Sequence, residues 1–173
     1  LKRARAKEGL MFPVDVSTGS RATIGGMTGN NSCGARSIRY GTMRDNVCAL
    51  EAIFIDGSRH HFGLSSRSNE SNRFNRQLLD IGDKYADEVA RRFPEVQRRV
   101  GGYNIDALVR SPNGTNNLAH LLVGSEGTLA YSERIQLHLS NIPSHKVLGV
   151  CHFPTFYAAM DSAQHIVKLG PSA

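Results

Sequence analysis

Four glycines within ten residues, at positions 25, 26, 29 and 34, set the terms for the segment Ala22-Thr23-Ile24-Gly25-Gly26-Met27-Thr28-Gly29-Asn30-Asn31-Ser32-Cys33-Gly34. Without Cβ atoms the backbone can adopt positive φ and come close to another molecule, and a long helix or strand is disfavoured. The small hydroxyl and amide side chains between the glycines leave N–H groups free to face phosphate oxygens. Residues 11–46 therefore read as loop-rich backbone with short helical turns, opened by Pro13, Asp15 and Ser17. A tight structural turn fits the same residues equally well. The block is no phosphate loop, since no Gly-Lys-Ser/Thr follows. It also lacks the clear preceding strand that a dinucleotide fingerprint requires.

The clearest local signal comes next. Val47 to Ile55 is an apolar run, Asp56-Gly57 reads as a two-residue turn, and Ser58 to Phe62 returns as the second strand of a β-hairpin. Cys48, Leu50, Ala52 and Phe54 would form one wholly apolar face. The opposite face carries only Glu51 as a charge, which predicts a central strand. From Phe74 the spacing becomes helical, with Phe74, Leu78, Ile81, Tyr85 and Val89 on one face and Pro94 closing the segment. Gly82 weakens this helix. Leu118 to Leu122 predicts a helical turn, Gly124 to Gly127 a bend, and Thr128 to Leu139 a strand.

Residues 143–173 read as a separate unit. A strand over Lys146 to Phe153 precedes a helix capped by Thr155, striped by Phe156, Met160, Ala163 and Val167, and ended by Gly170-Pro171. One β–α unit cannot bury its own apolar faces, so its partners are expected outside this sequence. The first residue is Leu rather than Met, which also suggests a piece of a longer polypeptide. The polar residues 1–8 could form a short helix stopped by Gly9.

Composition narrows the classes. With 40% hydrophobic and 21% charged residues, the 173-residue chain has the makeup of an ordinary globular protein. No run approaches the roughly 18 apolar residues of a membrane-spanning helix. Cys33, Cys48 and Cys151 are too far apart for a CxxC pair, and one is left over from any disulfide; this predicts a reducing compartment. His60 and His61 point to opposite faces of a strand, and His120, His138, His145, His152 and His165 show no metal-ligand spacing. Arg91-Arg92 and Arg98-Arg99 form the densest basic cluster of a chain with net charge +6. A solvated helix end is the default reading. Attraction for a substrate carboxylate is another, and a basic nucleic-acid-binding domain is a third, though no aromatic interleaving or known motif accompanies it.

Several blocks, taken in order, carry a family resemblance. They are Pro13-x-Asp15-x-Ser17, Ala22 to Gly26, Asn30 to Gly34, Tyr40-Gly41, Arg44-Asp45, Asp56-Gly57, Gly102-Tyr103 and Gly124-Ser125-Glu126-Gly127-Thr128-Leu129. Together they resemble the FAD-binding domain of the vanillyl-alcohol-oxidase-type (PCMH-type) flavoproteins, in the branch of D-lactate, glycolate and D-2-hydroxyglutarate dehydrogenases. The resemblance implies an α+β chain. Residues 1–142 would be the second α/β subdomain of that domain, and residues 143–173 the truncated start of the following substrate, or cap, domain. It implies non-covalent FAD, with Pro13, Asp15, Ser17, Thr23, Gly25 and Gly26 near the pyrophosphate and ribityl region. Asn30 and Gly34 would lie by the flavin, Tyr40, Gly41 and Asp45 would support or line the site, and Glu126, Gly127 and Thr128 would close it.

Cys33, the only nucleophile in the glycine block, reads as a buried structural thiol. Two departures stand out: Ala130 replaces the usual glycine, and Tyr131-Ser132 the usual branched aliphatic pair. Arg98-Arg99 is similar to the large bacterial members that carry an iron–sulfur cluster in an additional domain, outside this chain.

The activity implied is oxidation of a D-2-hydroxy acid to the 2-keto acid. A base takes the hydroxyl proton, the C2 hydride passes to flavin N5, and a separate acceptor reoxidises the flavin. The catalytic base is expected outside this fragment, with Tyr103 as the candidate within it, so the fragment alone is expected to be inactive. Its partners would be the D-2-hydroxy-acid substrate and the missing segments of the same polypeptide, with no nucleic acid and no integral membrane segment. Its place would be the cytoplasm or the inner face of the membrane. A sugar or alcohol oxidase or reductase of the same fold is the alternative.

Overall fold

The computed structural model describes residues 7–66, 71–96 and 98–172. Most of the short helix expected over residues 1–8 lies outside them. In chain order the elements are β1 (Leu10–Met11), α1 (Ile24–Gly29), α2 (Ser37–Tyr40), α3 (Met43–Asn46), β2 (Val47–Ile53), β3 (Arg59–Phe62), β4 (Leu64–Ser66), α4 (Arg73–Lys84), α5 (Ala86–Arg92), a 3-10 turn (Ile105–Leu108), β5 (Thr115–Asn117), α6 (Ala119–Leu122), β6 (Tyr131–Leu137), β7 (Ser140–Asn141), α7 (Phe156–Ile166) and a second 3-10 turn (Val167–Leu169). This is an α+β arrangement, and the glycine-rich stretch is loop with short helical turns.

The main sheet has the order β3-β2-β6, with both pairings antiparallel, so β2 is central as its two apolar faces predict. The expected face assignment needs correction at its start. Register shifts against β6 fall between Val47 and Ala49 and between Glu51 and Ala52. A bulge changes which way successive residues point, so Val47 and Leu50 are both buried while Cys48 is exposed. The hairpin turn also differs from a two-residue turn. Phe54 and Ser58 bond across Ile55-Asp56-Gly57, and Gly57 has φ 82°, which makes a three-residue loop ending in a left-handed glycine. The Ser58 hydroxyl and N–H both donate to Asp56 Oδ1 at 2.6 and 2.9 Å, which lowers the carboxyl below its ordinary pKa.

The helix expected over 74–93 divides at Tyr85, which caps the end of α4 and precedes α5. Its inward face is also turned from the expected stripe. Leu79 and Gly82 are buried, whereas Ile81 is 43% and Tyr85 46% exposed. Gly82 explains the rotation, because a Cβ there would lie 1.9 Å from the Leu108 carbonyl oxygen. The missing side chain lets α4 touch the first 3-10 turn. Phe12, Val14, Met43, Val47, Leu50, Phe62, Leu79, Leu108, Leu118 and Val123 share one core beneath the sheet, α4 and α6.

Of the elements expected over residues 143–173, the helix forms and the strand does not. Thr155 Oγ1 accepts from Ala158 N at 3.1 Å at the start of α7, and Gly170 is left-handed after its last turn. Residues 146–153 are irregular, with Val147 95% exposed. A strand needs a neighbour to satisfy its ladder groups, and none pairs with this stretch among the described residues. No residue of α7 is buried.

Candidate functional site

Thr23 starts the site. Its hydroxyl accepts from Gly26 N at 3.1 Å and caps α1, while Thr28 Oγ1 donates to Ile24 O at 2.9 Å and secures the same short helix. The opposite wall is the turn after α6. Gly124, Glu126 and Gly127 have φ of 84°, 52° and 77°, so three of four successive residues are left-handed, one of them not glycine. Two backbone bonds fasten this turn to α1: Gly124 N to Thr28 O and Glu126 N to Gly29 O, both 2.9 Å. Between the walls opens a cleft of about 300 Å³, lined by Gly25, Gly26, Gly29, Asn30, Leu122, Ser125, Glu126, Gly127, Ala130, Tyr131 and Ser132.

A Cβ on Gly25 or Gly127 would meet no protein atom within 4 Å. Gly127 has its left-handed backbone as a reason to be glycine, but Gly25 sits in a helix and has none inside the chain. Its smooth surface faces only the cleft.

Gly25, Gly26, Asn30, Glu126 and Gly127, all expected to contact a cofactor, thus come together. Thr23 stands behind them as the cap. Thr128 stands at the rim, donating to Ser125 O at 2.6 Å. The Tyr103 hydroxyl lies 2.8 Å from Thr128 Oγ1, which brings that exposed side chain to the same rim. The remaining expected residues lie outside the lining. Asp15 pairs with Arg36 at 3.3 Å and accepts its N–H at 3.2 Å, and its carbonyl oxygen would sit 1.5 Å from a Cβ on Gly34. Asp45 closes a capping box on Thr42, accepting its N–H at 2.7 Å, with Gly41 folded against it at φ 74°. Pro13 is fully buried, Ser17 is exposed, and the Tyr40 carbonyl accepts from Asn46 at 2.8 Å.

Sequence reasoning missed the layer behind the cleft. Asn31 and Asn104 are each 1% exposed and bond to Arg44 and Arg99, whose guanidiniums also bind Asp106 at 2.7 and 2.5 Å. The four arginines read as one basic cluster therefore separate. Arg91 and Arg92 both pair with Glu88 on α5, Arg98 reaches the Gly34 carbonyl at 3.3 Å, and Arg99 turns inward, stacked over Phe93 at 4.6 Å. The left-handed backbone of Asn31 is the one local hint, since asparagine tolerates that region better than most residues.

His120, half-buried beside Arg44, has its pKa lowered, first by desolvation and then by that guanidinium. Cys33 is half-buried rather than buried, and all three thiols are free. Among the described residues, no group of three or more His, Cys, Asp or Glu is placed to hold a metal ion, and no helix is long and apolar enough to cross a membrane.

Residues 1–63 match the family described as FAD binding domain. Among curated proteins, the chain is 29% identical to D-2-hydroxyglutarate dehydrogenase of Pseudomonas putida, over 99% of this chain and 18% of that protein. It is 31% identical to a probable mitochondrial D-lactate dehydrogenase of Danio rerio, over 94% of this chain and 24% of that protein. It is 27% identical to the glycolate oxidase subunit GlcD of Bacillus subtilis, over 95% of this chain and 26% of that protein. The chain thus spans between 18% and 26% of the length of these relatives. The glycine-lined cleft held by α1 and the Gly124–Gly127 turn thus lies in a chain whose first 63 residues match an FAD binding domain and which is similar, over most of its length, to part of each of these dehydrogenases and of the oxidase subunit.

Proposed function

We propose that this segment forms one wall of the FAD site in a dehydrogenase that oxidises a D-2-hydroxy acid. The observation that carries the reading is Gly25: a helical residue with no internal reason to lack a side chain, facing an open cleft. Glycine in a helix costs about 1 kcal/mol relative to alanine. Close approach of a ligand to the backbone is what offsets that cost. The relatives named for D-2-hydroxyglutarate, D-lactate and glycolate support the substrate class.

The residues present suit a long, anionic dinucleotide. Gly25 and Gly26 offer bare backbone near the start of α1, with the Gly26 N–H already held by the Thr23 hydroxyl. Asn30 adds an exposed amide, already accepting from Ser32 Oγ at 2.5 Å, and Glu126 a carboxylate that can accept from ligand hydroxyls. Tyr131 supplies an exposed ring at the cleft edge, suited to a planar group. Asp15, Gly34, Gly41 and Asp45 act behind the wall, holding the loops that carry it. When bound, the flavin would serve as the two-electron acceptor for the hydroxy acid. This chain's residues would bind it, orient it and keep water from one side. Tyr103, hydrogen-bonded to Thr128, is the nearest candidate for holding a substrate oxygen.

The test is anaerobic visible spectroscopy of the complete polypeptide that carries this sequence, titrated with paired D- and L-2-hydroxy acids. Bleaching of a flavin band by a D-acid is expected. A flavin untouched by any hydroxy acid moves the substrate to a sugar or alcohol. A protein that neither holds nor takes up FAD overturns the cofactor reading.

A further inference from the structure

Every hydrogen-bonding position of the buried Asn104 amide is filled. Its Nδ2 donates to the carbonyls of Val123 at 2.8 Å and His120 at 3.1 Å. Its Oδ1 accepts from Arg44 Nη1 and Arg99 Nη2, both at 3.2 Å. The same two guanidiniums are tied again through Asp106. Their backbones then hold Asn31: Arg44 N donates to Asn31 Oδ1 at 2.9 Å, and Asn31 Nδ2 donates to the Arg99 carbonyl at 3.4 Å.

The result is a closed ring of polar contacts with two exits. One leads through Val123 to the turn that carries Leu122 and Ser125–Gly127. The other leads through Asn31 to Asn30 and α1. These are opposite walls of the cleft.

We propose that Asn104 is a positioning residue, which holds the two walls at the spacing that admits the flavin dinucleotide, with Arg44 and Arg99 as its ties. The assignment rests on the FAD reading above. It differs from a plain contribution to stability, and the fold contains its own control. Asn116 is also buried, and its Nδ2 donates to the Ala107 and Val109 carbonyls at 2.7 Å each. Those carbonyls belong to the first 3-10 turn and the residue after it, outside the cleft lining. Both amides donate to two backbone carbonyls, but only those held by Asn104 lead to the cleft wall.

The experiment compares Asn104→Ala, Asn104→Asp and Asn116→Ala in the complete polypeptide. FAD dissociation constants come from fluorescence titration of the apoprotein, flavin geometry from visible circular dichroism, and stability from urea midpoints. Both Asn104 variants should weaken FAD by about tenfold or more and alter the flavin dichroism. Asn104→Asp still accepts from both arginines but cannot donate to Val123 and His120, so it should weaken FAD with less loss of stability than Asn104→Ala. That keeps the test decisive even where the alanine variant fails to fold. Asn116→Ala should lower the midpoint and leave FAD affinity unchanged. Wild-type FAD affinity in Asn104→Asp, or equal weakening in Asn116→Ala, overturns the positioning role alone. Failure of the wild type to bind FAD overturns the cofactor reading, and the positioning role with it.

Discussion

The glycines of this chain divide into two groups that look alike in one dimension and differ in three. Gly34 and Gly82 are pressed against backbone: a Cβ would fall 1.5 Å from the Asp15 carbonyl oxygen in one case and 1.9 Å from that of Leu108 in the other. Gly25 faces open cleft. The first group is demanded by the fold, because no rotation of a side chain can relieve a clash with a backbone carbonyl. Gly25 is not demanded by the fold at all. Gly101 and Gly149 are as open but lie outside helices; Gly25 stands in a helix, where a bare backbone facing a cleft suits the close approach of a ligand.

The sharpest way to break this division is to put a methyl group on each side of it. Gly82→Ala or Gly34→Ala should cost about 3 kcal/mol or more, at the upper end of overpacking, seen as a lower urea midpoint or loss of folded protein. A midpoint close to wild type would mean the backbone yields easily there.

Gly25→Ala should do the reverse. Unfolding free energy should rise by up to about 1 kcal/mol through helix propensity, read as a higher urea midpoint, while FAD affinity in the complete polypeptide falls by about tenfold. An alanine variant that binds FAD as the wild type does would remove the ligand as the reason for that glycine.

The packed side should also carry a pH dependence, through His120. The His120 pKa is lowered in the fold, so the unfolded chain binds its proton more readily. Stability should therefore be full above about pH 6.5 and decline as pH falls toward the folded pKa. Urea midpoints measured between pH 7.5 and about 5 should show this slope in the wild type and a flatter one in His120→Gln. An identical slope in both would place the titration elsewhere.

The smallest effect concerns a second open surface, α7. Met160 is 60% exposed on that helix, so Met160→Gln in the 173-residue chain should change the unfolding free energy by less than about 0.5 kcal/mol. A larger loss would show that α7 does pack on the fold.

The parts legible in the sequence were those with short-range causes. The β2–β3 hairpin follows from its apolar runs and Asp56-Gly57, and α7 from Thr155 and its spacing. The glycine-rich segment was legible as open backbone, and three of its expected contact residues, Gly25, Gly26 and Asn30, line one cleft with Glu126 and Gly127 of the later turn. What stayed hidden depends on distant partners. The bulges of β2 arise from pairing with β6, some 80 residues later, and they move Cys48 outward. The rotation of α4 arises from Leu108 meeting Gly82. The stretch 146–153 has the composition of a strand, but composition supplies no neighbour to pair with. Asn104 was invisible because a buried amide has no periodicity; its meaning lies in carbonyls and guanidiniums up to 60 positions away.

One small pairing has a wider consequence. β1 and β7 join Leu10 to Asn141 and Met11 to Ser140, and Ile142 N donates to the Gly9 carbonyl at 2.9 Å. Nearly everything described above lies between those two short strands. The chain therefore enters and leaves this unit through a single doorway, its two threads side by side. Paired ends of this kind let segments on either side join the fold at one edge, next to each other.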